Sequence, residues 1–268
     1  MDKIIEHSLR ILRCPICSGD LRLRHGMLKC VKCSHNYPIR DGIIDLLPKS
    51  LVFGNDRRWM KFYDRSALSY FILFHRVIPA FTLGAEGRAR RKWVKLLQIG
   101  RGDVVLDVAT GTGKNIQYLV EKVGAGGLVY GIDISMNMLR YAARVYGGLD
   151  NVILIRANAS HLPFKDECFD AVIHVGGINT FEEKGLAIKE MFRVVKHNAK
   201  VVIVDEGLDP RLRRSILGRL LLKINALYAS TPPLKELEEV TDSIHIEWGL
   251  IPSKIVPIWP YYLVIAKK

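Results

Sequence analysis

The sequence predicts an α/β fold: a doubly wound, mostly parallel sheet of seven strands, with a small four-cysteine ribbon ahead of it. Three observations carry that expectation. Four of the five cysteines fall in two Cys-x-x-Cys pairs within the first 33 residues. From Arg101 onward, short β-branched apolar runs alternate with stretches of helical spacing. A Gly-x-Gly loop lies between the first such run and the first helix. The 268 residues divide into a ribbon over 1–50, a basic and aromatic helical segment over 51–100, and the sheet domain over 101–268.

Composition bounds the function. With 49% hydrophobic and 25% charged residues the chain is globular, neither disordered nor collagen-like. At this size a core forms without disulfides. Forty Lys and Arg against 27 Asp and Glu leave a net charge of +13, which favours an anionic partner: nucleic acid, an acidic lipid surface or a phosphorylated substrate. The start, MDKIIEHSLRILRC, has no apolar run behind a basic start, so no secretory signal is expected. The longest apolar stretch, Ser66 to Phe74, is too short for a bilayer that needs about 20 residues. The expectation is a cytoplasmic protein, with peripheral contact to acidic membranes as its one membrane role.

In the ribbon, Cys14-Pro-Ile-Cys17 and Cys30-Val-Lys-Cys33 are separated by twelve residues. Each pair forms a knuckle that aims two thiolates at one point, and two knuckles joined by a hairpin make a tetrahedral sulfur site suited to zinc. The intervening LRLRHGMLK alternates like a strand and carries a His-Gly turn. His35 is a substitute ligand, but Cys33 already completes the set. Four protein ligands leave no open position, so this Zn2+ is expected to be structural rather than catalytic. Cys-Pro-x-Cys, Cys-x-x-Cys and Tyr-Pro-x-Arg-Asp-Gly-Ile together resemble a small zinc-ribbon family, over about residues 9–48. Its members serve as activator subunits of RNA and protein methyltransferases. The resemblance implies a platform or a substrate- or partner-recognition element. Asp41-Gly42 reads as a turn before a short strand, Ile43 to Leu47.

Residues 51–100 hold ten Lys or Arg against three acids, interleaved with Phe53, Trp59, Phe62, Tyr63, Tyr70, Phe71 and Phe74. A solvated helix surface explains much of the charge; a cationic, aromatic lid over a ligand is the sharper reading. Gly84 and Gly87 mark helix boundaries. The strands are then Val104–Val108, Leu128–Asp133, Val152–Ala157, Ala171–Val175 and Val201–Glu206. Helices are expected at Ile116–Val123, from the N-cap Ser135 to about Tyr146, and within Glu182–Val195. Arg211–Tyr228 reads as a basic amphipathic helix. Ile255–Ile258 and Tyr261–Ala266 read as a final hairpin, with Pro257 and Pro260 held to an edge or turn.

The loop Asp107-Val-Ala-Thr-Gly-Thr-Gly113-Lys-Asn115 has its own chemistry. Gly111 and Gly113 permit close backbone approach, and the next helix begins with unpaired N–H groups. Asp133, 22 residues beyond Gly111, ends the second strand, where a carboxylate accepts from both hydroxyls of a ribose. Ile116 stands where a dinucleotide loop needs its third glycine. Asp107 beside the loop suits a cationic amino-acid headgroup better than a pyrophosphate. A nucleoside with a methionine tail meets both demands.

DVATGTGKN, GIDIS, ANASHLPF and FDAVIHVGG follow the motif order of Rossmann-like class I S-adenosylmethionine-dependent methyltransferases, over about residues 60–268. DVATGTG with GIDIS is most similar to the ubiquinone/menaquinone C-methyltransferases. The resemblance implies that Asp107, Ala109, Thr110, Gly111, Thr112, Gly113 and Asn115 line the methionine and ribose end of S-adenosylmethionine. It places Asp133 on the ribose, Ile134 against adenine, Met138 as an apolar wall, and Asn158-Ala159 near the adenine amine. His174 and Gly176 fall where cofactor and acceptor meet. His161, His174 and Tyr63 are the candidate bases. The segment HVGGINTF after the fourth strand lacks the Asn-Pro-Pro-Tyr-type loop of amino-methylating nucleic-acid enzymes. The leading expectation is therefore a methyltransferase acting on a small hydrophobic, quinone- or lipid-like acceptor. The alternatives are an RNA (rRNA or tRNA) methyltransferase using the ribbon with Arg57, Arg58, Arg90 and Arg91, and an inactive cofactor-binding scaffold.

Overall fold

The computed structural model describes residues 2–253 and 259–268. Helix α1 (Asp2–Ser8) leads into two hairpins, β1 (Leu21–Arg24) with β2 (Met27–Cys30) and β3 (Asn36–Arg40) with β4 (Ile43–Asp45). Both turn on the residues the sequence offers: His25-Gly26 and Asp41-Gly42 all have φ between 50° and 76°. Such mirror-image turns match the right-handed twist of the strands they join.

Helix α2 (Gly54–Ile72) runs through one wide turn (Leu73–Val77) into α3 (Ile78–Phe81), and α4 (Ala85–Leu96) leaves it at 104°. Among the described residues no single helix is long and apolar enough to cross a membrane. The alternating core follows: β5 (Val104–Val108), α5 (Ile116–Val123), β6 (Leu128–Asp133), α6 (Met136–Tyr146), β7 (Val152–Arg156), β8 (Phe169–Val175), α7 (Lys184–Val194) and β9 (Val195–Glu206). The chain closes with α8 (Ile216–Ile224), α9 (Leu234–Glu238), β10 (Ser243–Ile251) and β11 (Trp259–Lys267).

Seven strands form the expected sheet, in the order β7-β6-β5-β8-β9-β11-β10, with β11 antiparallel to both neighbours. The sheet does not stop there. Ile44 of β4 pairs in parallel with Ile155 of β7, so the ribbon's four strands extend it to eleven. The edge of β7 would otherwise present unpaired backbone groups, and the apolar Ile43-Ile44 covers it. Both faces are buried, as a parallel sheet requires. On one, Trp93 of α4, Leu119 of α5 and Leu139 of α6 pack on Val105 and Val129. On the other, Met191 of α7 shares a single cluster with Leu12, Leu28 and Tyr37 of the ribbon region.

Three expectations need correction. The fifth strand starts six residues early, at Val195. The basic segment 211–228 is α-helical only over Ile216–Ile224, where Ser215 caps the start by accepting from the Gly218 amide, and a short 3-10 turn, Ala226–Ala229, follows it. The partner of the last strand is Ser243–Ile251, while Ile255–Ile258 and Pro257 lie outside the described residues. Pro260 falls at the start of β11, one residue before its pairing with β9 begins at Tyr261, so it removes no donor from that ladder.

Candidate active site

Strand β5 pairs with β6 on one side and β8 on the other, so the chain reverses direction beside it. Crevices at such switch points take ligands in open α/β sheets. A cavity of about 280 Å³ opens there, between the loops after β5, β6 and β8 and the underside of α2.

The loop after β5 is held from behind. Asp107 is fully buried; Thr110 Oγ1 donates to its Oδ2 at 2.6 Å and Asn115 Nδ2 to its Oδ1 at 2.9 Å. Arg90 of α4 donates to Asn115 Oδ1 at 2.6 Å and pairs with the buried Glu86, which Lys114 also approaches at 3.5 Å. Burial pushes the Asp107 carboxyl up to about 6, against those two hydrogen bonds. Asp107 thus shapes the loop but is not on the cavity wall, and neither is Gly113, contrary to expectation. Gly113 sits at φ +82°, and a Cβ there would lie 2.7 Å from the Tyr146 ring. Ala109, Thr110, Gly111, Thr112 and Asn115 do line the wall. Ala109 holds φ 56°, a left-handed conformation that costs a non-glycine residue about 1–2 kcal/mol.

Asp133 ends β6 at the cavity. The Gly111 amide donates to Oδ2 at 2.9 Å and the Ser135 amide to Oδ1 at 2.8 Å. Each carboxylate oxygen keeps a lone pair for one hydroxyl. Burial raises this carboxyl to about 6, opposed by the Ser135 and Gly111 amides. Ile134, Met138 and Ala159 stand beside it as apolar wall. The fit to a nucleoside is therefore good: a two-hydroxyl acceptor, a bend free of side chains and a flat apolar slot.

Asn158 also lines the cavity, but its amide is spent elsewhere. It donates to Leu51 O at 2.8 Å and to Asp56 Oδ2 at 2.9 Å, and its Oδ1 accepts from the Ser160 amide at 2.9 Å. It latches the start of α2. Two further latches follow. Asp64 Oδ1 accepts from Ser135 Oγ at 2.6 Å and from the Asn137 amide at 3.1 Å. His75 Nε2 lies 3.0 Å from Thr112 Oγ1. The basic, aromatic segment is thus a lid, pinned at three points.

Under the lid, Trp59, Tyr63, Tyr70 and Phe74 form one stripe of rings. The Tyr63 and Tyr70 centroids are 6.0 Å apart, and Tyr70 stacks on Phe74 at 4.2 Å. Trp259 of β11 meets Phe74 edge-on at 6.3 Å and closes that end. Glu206, at the end of β9, faces the same space, and burial with the neighbouring Asp205 carboxylate pushes its own carboxyl well up. Asp205 itself is committed, accepting from the Asn179 amide at 2.9 Å and the Gly177 amide at 3.2 Å.

Of the three candidate bases only Tyr63 is at the cavity, and burial raises its hydroxyl far above neutral pH. His174 is fully buried: its Nδ1 donates to Val108 O at 3.0 Å and its Nε2 accepts from the Ile178 amide at 3.0 Å. With burial lowering its basicity, it is a neutral brace behind the wall. His161 lies off the cavity, with Nδ1 buried and unpartnered. The sequence reading missed Glu206 and Trp259. The spacing of Trp59, Tyr63, Tyr70 and Phe74 does put the four rings on one helix face, a signal available beforehand. Arg90, an expected nucleic-acid contact, is turned inward and only 4% exposed.

The four Sγ atoms of Cys14, Cys17, Cys30 and Cys33 lie within 4.8 Å of one another. Sγ of Cys14 is 3.7 Å from that of Cys33, and Cys17 Sγ is 3.5 Å from Cys30 Sγ. Zinc–sulfur bonds of about 2.3 Å put tetrahedral sulfurs ~3.8 Å apart, so the set fits zinc. The Lys32 and Cys33 amides donate to Cys30 Sγ at 3.4 Å, as a knuckle around a thiolate requires.

Residues 106–203 match the family model of a methyltransferase domain, and residues 9–42 that of Trm112p-like proteins. A demethylmenaquinone methyltransferase of Lactobacillus johnsonii is 33% identical over 143 residues, covering 50% of this chain and 59% of the relative. One of Geobacillus is 38% identical over 124 residues, with 44% and 53% covered. The ubiquinone/menaquinone biosynthesis C-methyltransferase UbiE of Haemophilus ducreyi is 33% identical over 134 residues, with 49% and 48% covered. The chain spans about half the length of the curated relatives it matches. Among solved structures, a chain from a complex containing the Haloferax volcanii Trm112 methyltransferase activator superposes with a TM-score of 0.55 at 16% identity, covering 76% of this chain and 96% of that one. At that identity the likeness is one of fold.

Proposed function

We propose that this chain, a methyltransferase domain preceded by a Trm112p-like ribbon, transfers a methyl group from S-adenosylmethionine to a small hydrophobic acceptor of the quinone type. The observation that supports it most is the two-ended cavity. One end offers Asp133 and Gly111 to a ribose; the other offers a wall of rings with the carboxyl of Glu206, while the Asp56 carboxylate is taken by Asn158 and the Glu182 amide. The relatives that match half their length are quinone methyltransferases by name, which favours the same acceptor class.

The donor supplies a methyl already activated on sulfonium sulfur, so the protein's work is alignment. Asp133 would hold the ribose hydroxyls. Ile134 and Met138 would form the apolar wall for the base. The aromatic faces of Tyr63 and Tyr70 attract the sulfonium charge and stack a flat acceptor ring. Methylation of a ring carbon, with S-adenosylhomocysteine as the leaving group, would require the acceptor ring to give up one proton. The Glu206 carboxylate is the group at the cavity placed to take it, and a carboxyl raised by burial is a stronger base than one in water. The ribbon serves as a zinc-held extension that covers the sheet edge at β7.

The test is transfer of isotope from methyl-labelled S-adenosylmethionine into a cell extract, followed by separation of lipid, RNA and protein. Label in the quinone-containing lipid fraction is the expected result. Label in RNA would replace the acceptor, and absence of label from every fraction would leave only a cofactor-binding scaffold.

A further inference from the structure

The outer surface beside the cavity combines two features. Helix α8, ILGRLLLKI, is anchored by its thin side: Leu221 packs with Leu208 and Tyr228, and a Cβ on Gly218 would lie 2.0 Å from Leu212 O. Its other side is apolar yet faces outward, with Ile216 90%, Leu220 50% and Ile224 63% exposed. The lid repeats the pattern, with Phe62 and Leu68 each 54% exposed, followed by Leu73, Val77 and Phe81. Both surfaces flank one mouth, since the cavity is lined by Tyr70 and Phe74 from the lid and by Leu227 and Tyr228 from just after α8.

The second feature is charge. Some surface cations are paired with acids, such as Arg91 with Glu121, Lys92 with Glu247, Lys189 with Glu239 and Lys196 with Asp170, while others, such as Arg22, Arg24 and Lys95, are exposed without an acid in reach. Among the described residues, Arg58, Lys61, Arg65 and Arg76 of the lid are exposed and have no such partner. Arg214, just before α8, and Lys223, within it, have none either. No Asp or Glu occurs between Asp209 and Glu236.

We propose that this face, α8 together with the outer side of α2 and α3, docks on an anionic lipid bilayer. Branched aliphatic side chains at 50–90% exposure beside unpaired cations are what an interfacial helix presents to acyl chains and acidic headgroups. RNA would satisfy the cations and leave the aliphatic rows wet. A second copy of the face would bring cations onto cations. The proposal deepens the reading of a lipid-soluble acceptor, because it sets the cavity mouth where such a molecule resides; its test uses no acceptor and stands apart from that reading.

The full chain, with zinc, is sedimented with vesicles containing about one third phosphatidylglycerol and with vesicles of phosphatidylcholine alone. The double variant Ile216→Asp, Ile224→Asp is compared; both side chains are largely exposed, so the fold does not depend on them. Expected are binding to the anionic vesicles, at least tenfold weaker partition to phosphatidylcholine, and at least a tenfold loss in the variant, with S-adenosylmethionine affinity of the variant unchanged. Equal partition of variant and parent would overturn the proposal. So would an absence of vesicle binding, or a dimer in sedimentation velocity that the variant abolishes. Loss of S-adenosylmethionine binding by the parent protein would instead strike the reading of the cavity.

Discussion

Gly111 and Asp133 stand 22 residues apart and meet in a 2.9 Å hydrogen bond from the glycine amide to the carboxylate Oδ2. That contact joins the bend after the first core strand to the tip of the second and shapes that corner of the cavity. Replacing Asp133 by Ala removes the acceptor and frees the bend. S-adenosylmethionine affinity should fall at least tenfold, or about 1.4 kcal/mol, with circular dichroism unchanged. Calorimetric titration of both proteins measures it.

Asp64 holds the lid to α6 through Ser135 and the Asn137 amide. Asp64→Ala should leave the sheet intact and loosen the lid. A hydrogen bond to a charged group contributes about 1.5–3 kcal/mol, so donor affinity should weaken several-fold and proteolysis within residues 54–81 should accelerate. Unchanged digestion would show that the lid is held by its aromatic packing alone.

Of these relationships the sequence shows some plainly. The boundaries of β5, α5, β6 and α6 follow from runs such as VVLDV and from Ser135, whose hydroxyl accepts from the Met138 amide as an N-cap should. The Asp107 and Asp133 positions were legible because the loop and strand tip sit at fixed offsets. What was hidden depends on distant pairs. Asn158 bonds Asp56 across 102 residues, so its role as a latch has no local signature. His174 looks like a base at a strand end, yet both ring nitrogens are taken by backbone groups. Strand β10 had the period-2 signal in Ile244, Ile246 and Trp248, all turned to the core, but its polar alternates and the Thr241-Asp242 break concealed it. Parallel pairing of the ribbon with β7 needed the third dimension.

Burial raises both Asp107 and Asp133 from the ordinary 3.8 to about 6. Between pH ~4 and ~6 the folded chain therefore holds protons that the unfolded chain releases. Their contribution to stability is fully present below pH ~4 and is lost as pH rises through about 6. Asp133→Asn should flatten the melting-temperature profile between pH ~4 and ~6, roughly halving the part due to the pair. An unaltered slope would mean that this carboxyl titrates normally. Donor affinity should move the other way, weakening as pH falls below about 6, because a protonated Asp133 accepts less well.

Leu28 and Tyr37 of the ribbon share one packed cluster with Phe164 and Phe169 of the sheet domain. Removing zinc should therefore destabilise the whole chain. Metal analysis should find about one zinc per chain, and Cys14→Ser with Cys30→Ser should release it. Scanning calorimetry of the zinc-free chain should show a single, lower transition. A sheet domain melting at its original temperature would show the ribbon to be energetically separate.

Glu206→Gln tests the chemistry under the lid. With methyl-labelled donor and a short-tailed demethylated naphthohydroquinone, turnover should fall ~100-fold or more, and the acidic limb of its pH profile should disappear. Donor affinity should stay within about twofold, since Glu206 is not among the groups proposed to hold the donor.

Isothermal titration of S-adenosylmethionine into the zinc-loaded chain asks whether the cavity between the β5 loop and the lid holds the methyl donor. The expected result is one site per chain, at least tenfold weaker in Asp133→Ala and unaffected in Ile216→Asp, Ile224→Asp. Heat of binding that is absent from the parent protein, or identical in Asp133→Ala, would contradict it.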